Sequence, residues 1–335
     1  MKRVHSQSPI YRPNAIDFEI NEEGEFIRQL PRFSTPFSET PSETSVISQK
    51  YRLILSKGCC WSNCLSILCD LLHLSRIVTI GYAEIHPKSP ELGWSFFREK
   101  NGMDPFLNVH FLGELYLRTD PSFFGRATVP ALIDVSTGKI VNNDFRNLPY
   151  YLETFFRSFD SNNTPDLYPV FLRNDIQQMN DWLYSHINNG VYQMFFAQKI
   201  TAYEKAFSHF FDGLSTLDLR LKTQRFLFGD YITDSDVRLF VTLTRLDCSY
   251  YRFLGPIRQR LVDYKNLWDY ARDLYSVKAF QRHTFFSEYA KERRVPGKEF
   301  QTFNARFWDQ IDYEALWNSP QQRSLLSQTP LKLFF

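Results

Sequence analysis

The period of the hydrophobic residues changes once along this chain, and that change limits its architecture more than any other feature. Before about residue 160, short apolar runs alternate with helical stretches. YRLILSKG reads as a strand entering a turn at Gly58, and WSNCLSILCDLLHLS places Leu65, Leu68, Leu71 and Leu72 at helical spacing. IVTIGYAEI reads as a second strand, a long polar loop follows, and TVPALIDVSTGKIVNN reads as two strands around Ser136–Gly138 before the helical LPYYLETFF. From about residue 165 onward every strong segment has helical period, as in DLYPVFLRNDIQQMNDWLYSHINNGVYQMFFA and TAYEKAFSHFFDGLSTLDLRLK. The expected order is strand, helix, strand, loop, strand, strand, helix, and then helices alone. Four segments follow: an extended arm over 1–50, an α/β domain over 51–160, an all-helical domain over 161–295 and a tail over 296–335. A length of 335 residues suits two domains at roughly 150 residues each.

Bulk properties exclude several roles. The net charge is +2, and RQRLVDYK and KERRVPGK are short patches rather than the basic stripe of a nucleic-acid binder. No segment reaches the roughly 18 consecutive apolar residues of a membrane span, and MKRVHSQSPIYRPN lacks the apolar core of a signal peptide. Five cysteines, four of them clustered, do not form the framework of a secreted disulfide protein. A reducing, cytoplasmic setting is expected. The high aromatic share, 17% with 32 Phe and 18 Tyr, suits thick helix packing or an aromatic-lined pocket.

The chemistry concentrates in SKGCCWSNCLSILC, which holds Cys59, Cys60, Cys64 and Cys69. A closed zinc site wants four ligands, yet no C-x-x-C and no His pair accompanies them. A disulfide between Cys60 and Cys64 would join side chains one helical turn apart that are badly aimed for it. Cys59 stands at the strand-to-helix turn, where outward-pointing amides and the helix dipole favour a thiolate. Cys69 and Cys248 read as small core residues, and Cys64 suits either packing or chemistry. In the second half, DYITDSDVRLF places Thr233 as an N-cap with Asp236 as its reciprocal acceptor, flanked by Ile232 and Val237.

These residues resemble a known family. CCWSNC at 59–64, ELGWSF, RATVPALIDVSTGKIVNND, INNGVY, TDSDVRLFVTLTRLD and DYKNLWDYARDLYS are similar, in order and spacing, to the Xi-class glutathione transferases, the glutathionyl-hydroquinone reductases. The similarity spans roughly residues 50–280. It implies the glutathione transferase fold: a thioredoxin-like α/β N-terminal domain and an all-α C-terminal domain. It further implies Cys59 as nucleophile, with Trp94, Arg126, Val129, Pro130 and Asp144 around the thiol co-substrate, and a cis bond before Pro130. Tyr192 and Tyr250 match tyrosines of the substrate pocket, where a phenol can give a proton or hydrogen bond to an aromatic oxygen. The implied partners are glutathione or another low-molecular-weight thiol and an aromatic, quinone-type substrate, with no metal, in a homodimer.

The chain departs from the family pattern at marked places. Cys60, Asn63 and Cys64 replace the family's Pro, His and Arg in the first turn, and Asp144–Phe145 replaces Glu-Ser. A third pocket tyrosine is replaced by Phe285 or Phe286. Cys60 or Cys64 becomes a candidate resolving thiol. The expected function is a thiol-dependent oxidoreductase/transferase working through a mixed disulfide at Cys59. The alternative is a binding or regulatory protein that kept the scaffold and lost the chemistry.

Overall fold

The computed structural model describes residues 19–37, 50–157, 164–252, 254, 256–289 and 310–331. The stretch YAKERRVPGKEF lies almost wholly outside them. Among the described residues, those up to Ile20 and from Ile27 to Thr164 form one compact unit; Asn21–Phe26 and the residues from Pro165 onward form the second.

The first unit is built on four strands in the order β2-β1-β5-β6, where β1 is Tyr51–Leu55, β2 Val78–Tyr82, β5 Ala131–Asp134 and β6 Lys139–Asn142. β1 runs parallel to β2 through the crossover helix α1 (Cys60–Leu71) and antiparallel to β5, which pairs antiparallel with β6 across an irregularity between Leu132 and Ile133. A central strand is covered on both faces, so all five residues of β1 are buried. Ile54 enters a core with Leu112, Leu115, Tyr116, Val129, Ala131 and Ile133. The alternate residues turn to the other face, where Tyr51 meets Phe156 edge to face at 5.4 Å.

Two elements differ from the sequence reading. The apolar run IVTIGYAEI forms not one strand but two: β2, then β3 (Glu84–Ile85), which pairs antiparallel with β4 (Trp94–Ser95). Between the polar loop, which ends at Phe106, and the Val-Pro strand, where the sequence reading assigns no element, stands a helix, α2 (Leu112–Thr119). Eight residues give too short a window for periodicity to speak, but the burial of Leu112, Leu115 and Tyr116 shows the helical stripe. The Glu114 carboxylate starts this helix by accepting the Phe111 N–H at 2.8 Å and the His110 N–H at 2.9 Å. The segment LPYYLETFF is helical as expected, with α3 (Leu148–Tyr151) widening into a π turn through Phe156.

Part of the N-terminal arm is a strap laid on this unit. Ser34 bridges Asn142 antiparallel, the Thr35 N–H reaches the Val141 carbonyl at 3.2 Å, and the Asn143 N–H reaches the Phe33 carbonyl at 2.8 Å. The strap thus extends the sheet past β6 and occupies an edge that would otherwise present open backbone groups.

The second unit is helical: α4 (Arg173–Leu183), α5 (Gly190–Phe196), α6 (Ile200–Arg220), α7 (Asp234–Leu243), α8 (Lys265–Tyr275), α9 (Lys278–Arg282) and α10 (Phe286–Tyr289). α7 begins where the sequence places it. The Asp236 carboxylate accepts the Thr233 N–H and hydroxyl, both at 2.8 Å, the Leu227 N–H at 2.9 Å and the Tyr270 hydroxyl at 2.8 Å. Burial raises its pKa, and these donors act against the rise. In the described part of the C-terminal stretch, Trp317 packs edge to face on Trp268 at 5.0 Å, and Arg323 donates to the carbonyls of Leu221 and Arg225.

Candidate active site

Cys59 is the N-cap residue of α1, in an extended conformation with φ −92° and ψ 124°. β1 delivers the chain to Ser56, whose carbonyl accepts the Cys59 N–H at 3.1 Å and whose N–H donates to the Ser62 hydroxyl at 3.1 Å. This turn fixes where the helix starts. The first amides of a helix have no acceptor within it, so the start of α1 carries partial positive charge. No acidic residue stands in the first turn to oppose a thiolate. The Cys59 side chain is half-buried at the rim of the core.

Opposite it is the segment that enters β5. The Cys59 Sγ lies 3.9 Å from the Val129 carbonyl oxygen, and the Val129–Pro130 peptide is cis. Trp94, on β4, packs against the same core as Cys59 and Val129. Cys59, Trp94, Val129 and Pro130, separated by up to about seventy positions in sequence, are therefore held in one region of the first unit. Tyr116 braces it from α2. Its hydroxyl donates to the Thr128 carbonyl at 2.8 Å, accepts the Thr128 N–H at 3.2 Å, and accepts from the Asn143 side-chain amide at 3.0 Å. Burial pushes the Tyr116 phenol pKa up, so it stays a neutral donor.

The other cysteines stand differently. Cys60 and Cys64 are buried, at 1% and 4% exposure. Cys69 and Cys248 are buried too, and loss of hydration pushes both thiols up to about 12. None of the five is joined in a disulfide. Among the described residues, no group of three His, Cys, Asp or Glu side chains is arranged to hold a metal ion.

Two expected thiol-binding residues are engaged within the chain. The Asp144 carboxylate accepts the N–H groups of Arg146 at 3.1 Å and Asn147 at 3.3 Å, and the Asn147 side-chain amide at 2.7 Å, so it closes the turn into α3. Arg126 is held by the strap. Its Nη2 is 2.9 Å and 2.6 Å from the two carboxylate oxygens of Glu19, and its backbone N–H and carbonyl both pair with the Gln29 side chain. Phe145 packs against Trp61 with the rings tilted and their centroids 4.5 Å apart, and the Arg28 guanidinium lies over both rings at 5.4 and 5.8 Å. Sequence reasoning missed Glu19, Gln29, Arg28 and Tyr116. No local motif marks them, because each acts on a segment distant in sequence.

In the helical unit, Tyr192 on α5 and Tyr250 after α7 form a pair. Their hydroxyl oxygens are 3.4 Å apart and their rings meet edge to face at 6.1 Å. Both side chains are half-buried.

Residues 200–273 match the family model described as glutathione S-transferase, C-terminal domain. Glutathionyl-hydroquinone reductase YqjG of Escherichia coli strain K12 is 33% identical over 230 residues, which cover 68% of this chain and 69% of that protein. The chain belongs to the Xi-class glutathione transferase family. Among Xi-class structures, that of the Phanerochaete chrysosporium glutathione S-transferase Xi superposes with a TM-score of 0.74 at 31% identity, covering 81% of this chain and 88% of that one. The glutathione-bound structure of YqjG has a TM-score of 0.68 at 29% identity, covering 77% and 84%. The Xi-class fold, a thioredoxin-like unit and a helical unit, is the one described above. No helix among the described residues is long and apolar enough to cross a membrane.

Proposed function

We propose that this protein is a glutathione-dependent reductase/transferase that uses the Cys59 thiolate and acts on glutathionylated aromatic, hydroquinone-type substrates. One observation carries the reading. Cys59 caps the start of α1, half-exposed, with its sulfur facing the Val129 carbonyl beside Pro130. The names of the relatives and a glutathione-bound neighbour support glutathione as the thiol.

In the first step the Cys59 thiolate attacks the glutathionyl sulfur of the aryl thioether. The sulfur–sulfur bond forms and the carbon–sulfur bond breaks. The aromatic ring leaves with the bonding electrons and takes up a proton, so the substrate is reduced and Cys59 becomes a mixed disulfide. In the second step a glutathione thiolate attacks the glutathione sulfur of that disulfide, releasing glutathione disulfide and regenerating the Cys59 thiolate. Burial of Cys60 and Cys64 favours this second small thiol over either cysteine as the resolving group. Val129 offers its backbone to the peptide-like part of glutathione, and Trp94 offers an apolar wall. Arg126 and Asp144 contribute charge, each while engaged by neighbours within the chain. Tyr192 and Tyr250 hydrogen-bond the aromatic oxygens and supply the proton. A cytoplasmic homodimer is the proposed form, which light scattering of the purified protein tests.

Cys59→Ser tests the chemistry: turnover of a glutathionyl-hydroquinone is expected to fall to background, and turnover that survives the change refutes the mechanism. The second reading, a binding protein without chemistry, has the engagement of Arg126 and Asp144 in its favour. Under it no cysteine alkylates rapidly at neutral pH.

A further inference from the structure

The contacts of Arg126 bear on which thiol the site takes. Glu19 is 4% exposed, and the Arg126 side chain keeps 26% of its exposure. The carboxylate is fixed from several sides: it approaches Arg126 Nη2 at 2.9 and 2.6 Å and accepts the Gln29 N–H at 2.5 Å. The Gln29 side-chain amide then grips the Arg126 backbone like a paired peptide, donating to its carbonyl at 2.9 Å and accepting its N–H at 3.2 Å. Two residues on, the Tyr116 hydroxyl serves Thr128 in the same manner, and Val129 follows. The chain entering the Cys59 region is thus held on both sides, with a buried negative charge placed on its cation.

A carboxylate within hydrogen-bond distance of a guanidinium cancels most of the field that the cation presents to a second anion. We infer that Glu19 is a specificity-determining residue that lowers the preference of the site for an anionic thiol, glutathione, over an uncharged one, by neutralising Arg126. This inference rests on the proposed thiol reading of the Cys59 region. Glu19 acts through Arg126 and touches no substrate. The carboxylate is built into the chain, so the reduced preference is a fixed property of the protein and needs no effector.

Glu19→Gln tests it. The amide keeps an acceptor for the Gln29 N–H and removes the charge. Two quantities are read on the full-length protein: the ratio of kcat/KM with glutathione to kcat/KM with uncharged 2-mercaptoethanol, and the Kd of S-methylglutathione by calorimetry. The ratio is expected to rise roughly three- to tenfold, the Kd to fall in proportion, and both gains to vanish in the Glu19→Gln/Arg126→Gln double variant. An unchanged or lower ratio, or a gain that survives loss of Arg126, overturns the inference. A merely structural Glu19 would shift both thiols alike. The binding arm separates the two readings. If Cys59→Ser retains turnover, the catalytic reading falls and the Kd still reports on Glu19. If neither wild type nor Glu19→Gln binds S-methylglutathione, the inference falls whatever the turnover. Should Glu19→Gln fail to fold, Glu19→Asp withdraws the carboxylate by one methylene and must move the ratio in the same direction, or the inference is overturned.

Discussion

The five cysteines of one folded molecule should react with an alkylating agent at rates that differ by orders of magnitude. The perturbation is iodoacetamide at neutral pH, which reacts with thiolate rather than thiol. Cys69 lies within α1 and Cys248 just beyond α7, both away from water, and desolvation raises each from an ordinary 9.0 to about 12. That rise cuts their thiolate share at neutral pH about a thousandfold relative to an unperturbed thiol. Their burial adds a second barrier, because the reagent reaches them only when the structure opens. Cys59 is half-buried, caps a helix with no acid in its first turn, and lies against the Val129 carbonyl oxygen. The assay is timed labelling followed by peptide mapping, with a parallel sample in denaturant. In the folded protein Cys59 is expected to label first, with Cys69 and Cys248 about a thousandfold slower than an ordinary exposed thiol. All five should label at comparable rates once unfolded. Labelling of Cys69 or Cys248 as fast as Cys59 in the folded state would refute the reasoning. Slow labelling of every site would instead favour the protein without chemistry.

Two further outcomes are expected. Asp236→Ala removes an acceptor used by two backbone N–H groups and two hydroxyls inside the helical unit. At about 1–3 kcal/mol for each buried group left unsatisfied, urea denaturation should show a loss of at least about 4 kcal/mol, and Asp236→Asn should lose less. Tyr192→Phe and Tyr250→Phe each remove one hydroxyl of the pair whose oxygens are 3.4 Å apart. Each is expected to slow turnover of a glutathionyl-hydroquinone by roughly tenfold to a hundredfold while Cys59 alkylation keeps its rate, and an unchanged kcat in both would remove the phenols from the proposed chemistry.

How far the sequence could be read depended on the distance over which each residue acts. β1, α1, the β5–β6 hairpin and the start of α7 are set by signals only a few residues long, and these appear in the chain itself. The helix α2 and the break between β2 and β3 escaped reading because both are short. The identity of α2 comes from burial, seen in Leu112, Leu115 and Tyr116, rather than from period. At the candidate site, Cys59 could be placed at a helix start from its neighbours alone, and the run RATVP carried Val129 and Pro130. Their meeting at 3.9 Å could not be read, because it depends on β1 lying beside β5.

The sequence by itself determined the two-part architecture and the place of Cys59 at the start of a helix. Alternating and helical periods, a turn at Gly58 and the order of motifs are local properties, and local propensity and burial pattern suffice to express them. Only the tertiary structure decided which cysteines are exposed, that the carboxylate of Asp144 closes its own turn, and that Glu19 reaches Arg126 across more than a hundred positions. The reason is physical. Hydration, charge neutralisation and hydrogen-bond satisfaction depend on which atoms lie within a few ångströms in space. For residues this far apart in the chain, packing of the sheet and strap sets that distance.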